Sequence, residues 1–251
     1  MNGIEGGAGP WSGSPAVEAA YDELLRSVAA RGSEIGERVT SHWPIFGRAS
    51  KNGVLLVGQA VFGWVNDWDV AQAATPEGRR AILDETKTAM TNRDDHMDWV
   101  ATNPYRTSPW WRAACHVVDQ LTPGPEPWYS RLGWANLYPV APGERKANPG
   151  GPLKEAQDPH VGRLLQAIVE AADPCVVVAL VGPFWWPCTA IPELAALGEV
   201  ARPLMRVGSV GGRPWVVGWH PGGAQRRHYS PEPYAKLIAA AVRGAASEGA
   251  R

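Results

Sequence analysis

Apolar positions along the chain follow two rhythms. Val17, Tyr21, Leu24, Leu25 and Val28 recur at three- and four-residue steps, which predicts an amphipathic helix near the N-terminus. Val161, Leu164, Leu165 and Ile168 keep the same rhythm, and so do Tyr234, Leu237, Ile238 and Ala241 in a last helix from about Pro231. Helices are also expected near residues 78–90 and 110–121. Short continuous apolar runs at 53–57, 175–181 and 214–219 read instead as strands buried on both faces. A fourth strand, 133–138, is apolar and aromatic except for Asn136. Prolines punctuate the pattern at residues 122–127 and at Asp173-Pro174.

Strands that alternate with helices predict an α/β fold, a three-layer α/β/α sandwich around a central, mainly parallel four-stranded sheet. Residues 1–52 are expected to form an N-terminal helical extension and residues 53–251 the main domain. In such sheets the ligand crevice lies outside the carboxyl ends of the strands. Four strand ends run into polar or Gly/Pro loops: Gly58-Gln59, Asn136 to Pro142, Gly182-Pro183 and His220-Pro221. These loops should converge on one site.

Composition narrows the class without naming a chemistry. The 251 residues are 45% hydrophobic and 20% charged, enough apolar content for a real core and too much for disorder. No run reaches the ~18–20 apolar residues of a membrane span, and residues 1–14 lack the order of a signal peptide. A soluble intracellular protein with no membrane contact and no obligate protein partner is expected. Three cysteines, Cys115, Cys175 and Cys188, are too few for a disulfide framework or an ordinary iron–sulfur cluster, and zinc-ligand spacing is absent. No cofactor or metal is expected.

The net charge of −1 is unevenly spread. Residues 66–98 hold eight acids against four bases, whereas residues 201–251 hold eight bases against two acids. Such a basic tail suits a local anion footprint as well as a solvated face. Thirteen tryptophans are the other oddity. Large rings carrying a donor serve as core anchors or stacking surfaces.

Particular residues carry the candidate chemistry. His220 meets a Pro-Gly-Gly turn, where Gly222 and Gly223 let backbone amides approach a phosphate. Gln225, Arg226, Arg227 and His228 follow with donors for a nucleic-acid backbone. The Asn136 amide offers a donor and an acceptor to a base edge. Phe62, Trp64 and Trp68 are the aromatics nearest the Gly58–Gly63 turn. That turn lacks both GxGxxG and a following Lys-Ser/Thr, which argues against a dinucleotide or Walker-type site.

Taken together, the set resembles the uracil-DNA glycosylase superfamily over roughly residues 53–243. Gly58-Gln-Ala-Val-Phe62 is similar to its first motif, G-Q-D-P-Y or G-E-x-P-G. Residues 136–149 resemble the element that supplies a base-reading Asn, residues 173–182 resemble the third strand, and His220-Pro-Gly-Gly-Ala-Gln-Arg226 is similar to H-P-S and its intercalating loop. The resemblance implies a monofunctional enzyme that flips a pyrimidine out of DNA and hydrolyses its N-glycosidic bond. His220 would donate to the departing base, Asn136 would read it, and Phe62 and Trp64 would stack on it. Gly222, Gly223, Gln225, Arg226, Arg227 and Arg145 would hold DNA. The first motif should also carry a carboxylate or Asn, yet Gln59 and Ala60 stand there. Gln59 would then position water by hydrogen bonding, or Asn66, Asp67 or Asp69 would reach the site, Asp67 being preferred. Val61 for Pro and Gly222 for Ser suggest a pocket reshaped for a bulkier or modified pyrimidine, such as one carried by viral genomes. The alternative is a glycosylase-like protein that binds DNA or a nucleobase without cleaving it.

Overall fold

The computed structural model describes residues 14–36, 38–60, 67–91, 97, 99–102, 108–143, 148–182, 185, 198–200, 205–225 and 229–248. Helix α1 (Pro15–Ala30) opens with proline in its first turn and buries the stripe Val17, Tyr21, Leu24, Leu25 and Val28. After one turn of α2 (Gly32–Ile35) come strands β1 (Arg38–Ser41), β2 (Ile45–Phe46), β3 (Val54–Ala60) and β4 (Asp67–Asp69). Helices α3 (Pro76–Thr91), α4 (Trp99–Thr102) and α5 (Pro109–Leu121) follow. Then come β5 (Leu132–Tyr138), β6 (Val140–Pro142), α6 (Gly151–Ala172), β7 (Val176–Ala179), β8 (Gly198–Val200), β9 (Met205–Val210) and β10 (Arg213–Gly218). A short α7 (Pro221–Gln225) and a long α8 (Pro231–Glu248) complete the order.

The expected single sheet of four strands is corrected. The main sheet has seven strands in the order β2-β5-β3-β7-β10-β9-β8, and a separate three-stranded sheet, β4-β1-β6, is wholly antiparallel. Within the main sheet β5, β3, β7 and β10 run parallel, while β2, β9 and β8 pair antiparallel at its margins. The additional strands are mostly two to four residues long, too short to show a period of their own. The longer β9 joins β10 through Gly211-Gly212, both at positive φ (57° and 77°), the geometry of a two-residue hairpin turn.

Val54–Val57 and Val176–Ala179 are fully buried, as continuous apolar runs covered on both faces must be. The β3–α5–β5 crossover steps one way across the sheet and β5–α6–β7 steps back over it. With right-handed crossovers these two helices lie on opposite faces. Helix α8 packs on α5, β9 and β10, whereas α1 packs on α6 and α3. Arg79, buried in α3, pairs with Asp22 of α1 at 2.7 Å and donates to the Ala73 carbonyl. One continuous core runs from Val17 to Val242. The connections after β3 and β7 leave in opposite directions, so the crevice of the sheet falls at the carboxyl ends of these two strands. Strands β5 and β10 flank it, about 14 Å apart at ~4.8 Å per strand spacing.

Candidate functional site

Asn136 is the polar break in β5, and every residue of that strand is buried. Its register partner on β3 is Gly58. A Cβ built on Gly58 would stand 2.5 Å from Asn136 Oδ1 and 3.5 Å from both Trp110 Cη2 and Trp134 Nε1. Glycine is therefore what gives the amide room to lie over β3. Asn136 is only 5% exposed, and its Nδ2 has no hydrogen-bond partner among the described residues. A buried amide donor left unmatched costs on the order of 1–3 kcal/mol, which a ligand acceptor would relieve.

The aromatic wall beside this amide comes from the start of α5. Pro109 occupies its first turn and Trp110 and Trp111 follow, both buried. Trp111 meets Trp134 edge-on at 4.9 Å, and Trp99 meets Trp111 edge-on at 5.6 Å. Trp110 lies flat against His220, with ring centroids 5.5 Å apart and planes 19° from parallel. One indole thus touches the neighbourhood of the amide and that of the imidazole, on residues 84 apart in the sequence.

His220 lies two residues past the end of β10 and is half-buried. Its Nδ1 accepts the Gly222 amide proton at 3.2 Å, while its carbonyl accepts from Gly223 and Ala224 at 2.7 and 3.0 Å. A ring nitrogen that accepts carries no proton, so a neutral His220 holds its proton on Nε2 and is a donor there. Tyr234 of α8 braces the preceding residue, donating to the Trp219 carbonyl at 2.8 Å. Burial pushes the Tyr234 phenol well above its ordinary pKa, which keeps it a donor.

The remaining expected residues are distributed differently. Gln59 is half-buried, and strand alternation turns it to the face opposite Gly58 and Asn136. Asp67 lies on β4 of the small sheet, opposite Thr40, with its carboxylate against Gly143 and its Oδ1 buried without a partner among the described residues. Asp69 caps the turn after β4, accepting from the Ala71 amide at 2.8 Å. Gly222 and Gly223 form the first turn of α7, and Gln225 closes it. Phe62, Trp64, Asn66, Arg145, Arg226 and Arg227 lie outside the described residues.

Three side-chain groups at this edge were not anticipated as site residues. Trp110 reads in the sequence only as a tryptophan beside a proline. His42, fully buried, packs 4.5 Å from Trp134, and burial lowers its pKa to about 3, so it stays neutral. Tyr138, at the end of β5, donates its hydroxyl to Asp158 Oδ1 at 2.7 Å. Burial and that carboxylate hold its phenol far above the usual range. A tyrosine ending an apolar strand signals an anchored hydroxyl, but its helical partner twenty residues on leaves no local pattern.

Among the described residues no three His, Cys, Asp or Glu side chains gather as metal ligands, and no helix is long and apolar enough to cross a membrane. No protein-family model matches the chain, and no curated protein matches it.

Proposed function

We propose that the chain is a DNA glycosylase that takes an extruded pyrimidine into the crevice between β5 and β10 and hydrolyses its N-glycosidic bond. The buried, unmatched Asn136 amide carries the reading, because it sits where Gly58 withholds a side chain, and Trp110 lies both beside that glycine and against His220. Asn136 reads the base edge. His220 Nε2–H donates to a base oxygen as negative charge develops there, and a donor acts catalytically only so far as it binds that charge better than the ground state. Gly222, Gly223, Gln225, Arg226, Arg227 and Arg145 grip the phosphates, and Phe62 and Trp64 stack on the base. Bulkier or modified pyrimidines are the substrates to which the departures at Val61 and Gly222 point.

The test is base release from duplexes carrying uracil, 5-hydroxymethylcytosine or a glycosylated pyrimidine, read as alkali-labile abasic sites. His220→Ala should slow release about 10²–10³-fold, and DNA affinity should fall steeply with salt as counterions are displaced. A wild-type protein that releases none of these bases refutes the proposal. Ala60, in the position of the motif's carboxylate, favours a second reading, a non-cleaving DNA- or nucleobase-binding protein. Salt-sensitive binding without abasic-site formation would establish it.

A further inference from the structure

Ala60 leaves the end of β3 without a carboxylate, and α6 brings one to the hydroxyl of the tyrosine paired with it. Ala60 and Tyr138 are register partners on parallel strands, two residues beyond the Gly58–Asn136 pair. The Tyr138 hydroxyl donates to Asp158 Oδ1, and Lys154 Nζ donates to both Asp158 oxygens at 2.9 and 2.8 Å. Lys154 also stands 5.2 Å from the centre of the Tyr138 ring, and Trp185, just past β7, meets that ring edge-on at 6.0 Å. The first half of α6 is fastened here by Gln157. Fully buried, it accepts from the Val140 amide at 3.0 Å and donates to the Val140 carbonyl at 2.9 Å. A surface ion pair four residues apart on a helix needs neither a buried tyrosine nor a buried glutamine to hold it. This one bonds a buried tyrosine directly and sits on a helix turn that a buried glutamine fastens to the chain just past β5, the strand that carries Asn136.

We infer that Asp158 is the carboxylate that orients the attacking water, an inference that rests on the glycosylase reading above. Its oxygens accept three hydrogen bonds on roughly four lone-pair sites, which leaves one for water. The side chain is 31% exposed, so water reaches it. In the reaction the C1′–N1 bond breaks with its electron pair leaving on the base, whose charge His220 Nε2–H stabilises. The water oxygen bonds to C1′ and its proton passes to Asp158. The base anion takes a proton from solvent, and Asp158 returns its own to solvent. Asp158 also faces the positive charge that builds on the sugar, while Lys154 and Tyr138 fix its orientation.

The experiment is single-turnover base release from the duplex that the wild-type protein cleaves fastest, together with affinity for an abasic duplex and thermal melting. Asp158→Asn, which preserves shape, should slow release about 100-fold or more with affinity unchanged within about twofold. Asp158→Glu should recover much of that loss, and Tyr138→Phe should cost about tenfold. The inference is overturned if Asp158→Asn keeps half the wild-type rate while His220→Ala does not, an outcome that leaves the glycosylase reading standing. Loss of rate, affinity and melting temperature together, with no recovery in Asp158→Glu, also overturns it. A wild-type protein with no base release overturns both.

Discussion

The two ends of the central sheet use glycine for opposite purposes. At the amino end a Cβ on Gly53 would run into the Arg131 carbonyl, and one on Gly47 would meet the carbonyls of Tyr129 and Ser130. Backbone bonds lace that end together, from Gly47 to Leu132, Ala49 to Ser130 and Cys175 to Gly53. At the carboxyl end Gly58 faces side chains, the Asn136 amide and two indoles. The first arrangement closes the sheet, and the second makes clearance beside a group that still seeks a partner. A glycine walled in by backbone is thus a matter of stability. Gly58, which faces a side-chain amide instead, bears on the base-reading site proposed above.

The largest effect should come from breaking the closed end. Backbone cannot swing aside as a side-chain tip can, so Gly53→Ala should cost about 3 kcal/mol, the upper end for overpacking, read as a lower denaturation midpoint. A loss below about 0.5 kcal/mol would erase the distinction between the two ends. Next comes acid. Folded His42 stays neutral down to about pH 3 because it is buried, whereas the unfolded residue takes up a proton near pH 6.5. Below pH ~6.5 the unfolded chain therefore binds more protons. The stability present above that pH falls by up to about 1.4 kcal/mol per unit as pH drops towards 3, about 2 kcal/mol by pH 5. His42→Phe, which retains a ring against Trp134, should flatten that slope in denaturation measured from pH 7 to 5. An unchanged slope would clear His42 of the effect.

At the open end Gly58→Ala should do the reverse of Gly53→Ala. Its Cβ meets the tip of Asn136, which can rotate away, so stability should change by no more than about 1 kcal/mol. Base release should nonetheless fall about tenfold, the loss of one well-placed hydrogen bond. Equal damage to folding at both glycines would show that the carboxyl end is packed as tightly as the amino end.

Legibility in the sequence followed the same division. β3, β5, β7 and β10 and the helices around them stand out because burial on both faces leaves an unbroken apolar run, as at Val54–Val57, and burial along one stripe imposes a helical period, as at Leu164–Ile168. The small sheet did not, because three- and four-residue strands such as Asp67–Asp69 are held by partners distant in the chain. β9 was legible in principle, since Met205 and Val207 alternate ahead of Gly211-Gly212, a hairpin signal. Asn136 and His220 could be singled out because each interrupts or ends an apolar run. Trp110 and Asp158 could not, since what marks them is a contact with Gly58, His220 or Tyr138 that only the fold creates. Proximity in sequence pointed to Asp67, and the chain folds that residue onto a different sheet.

The smallest effect asks how local the open end is. Tyr234 of α8 donates to the Trp219 carbonyl, one residue before His220, and its hydroxyl lies 2.5 Å from where a Cβ on Gly218 would be. Tyr234→Phe removes that one bond at a half-buried residue, so the stability cost should be about 1 kcal/mol. His220 would still be held by the Gly222 amide at Nδ1 and by the flat contact with Trp110. Base release should therefore fall no more than about threefold, because those two contacts set the ring plane and tautomer without help from α8. If the rate instead drops tens of fold at unchanged melting temperature, the imidazole is being aimed from the helix layer. The carboxyl end would then depend on packing behind the sheet as the amino end does, and the contrast between the two ends would narrow to Gly58 and Asn136 alone.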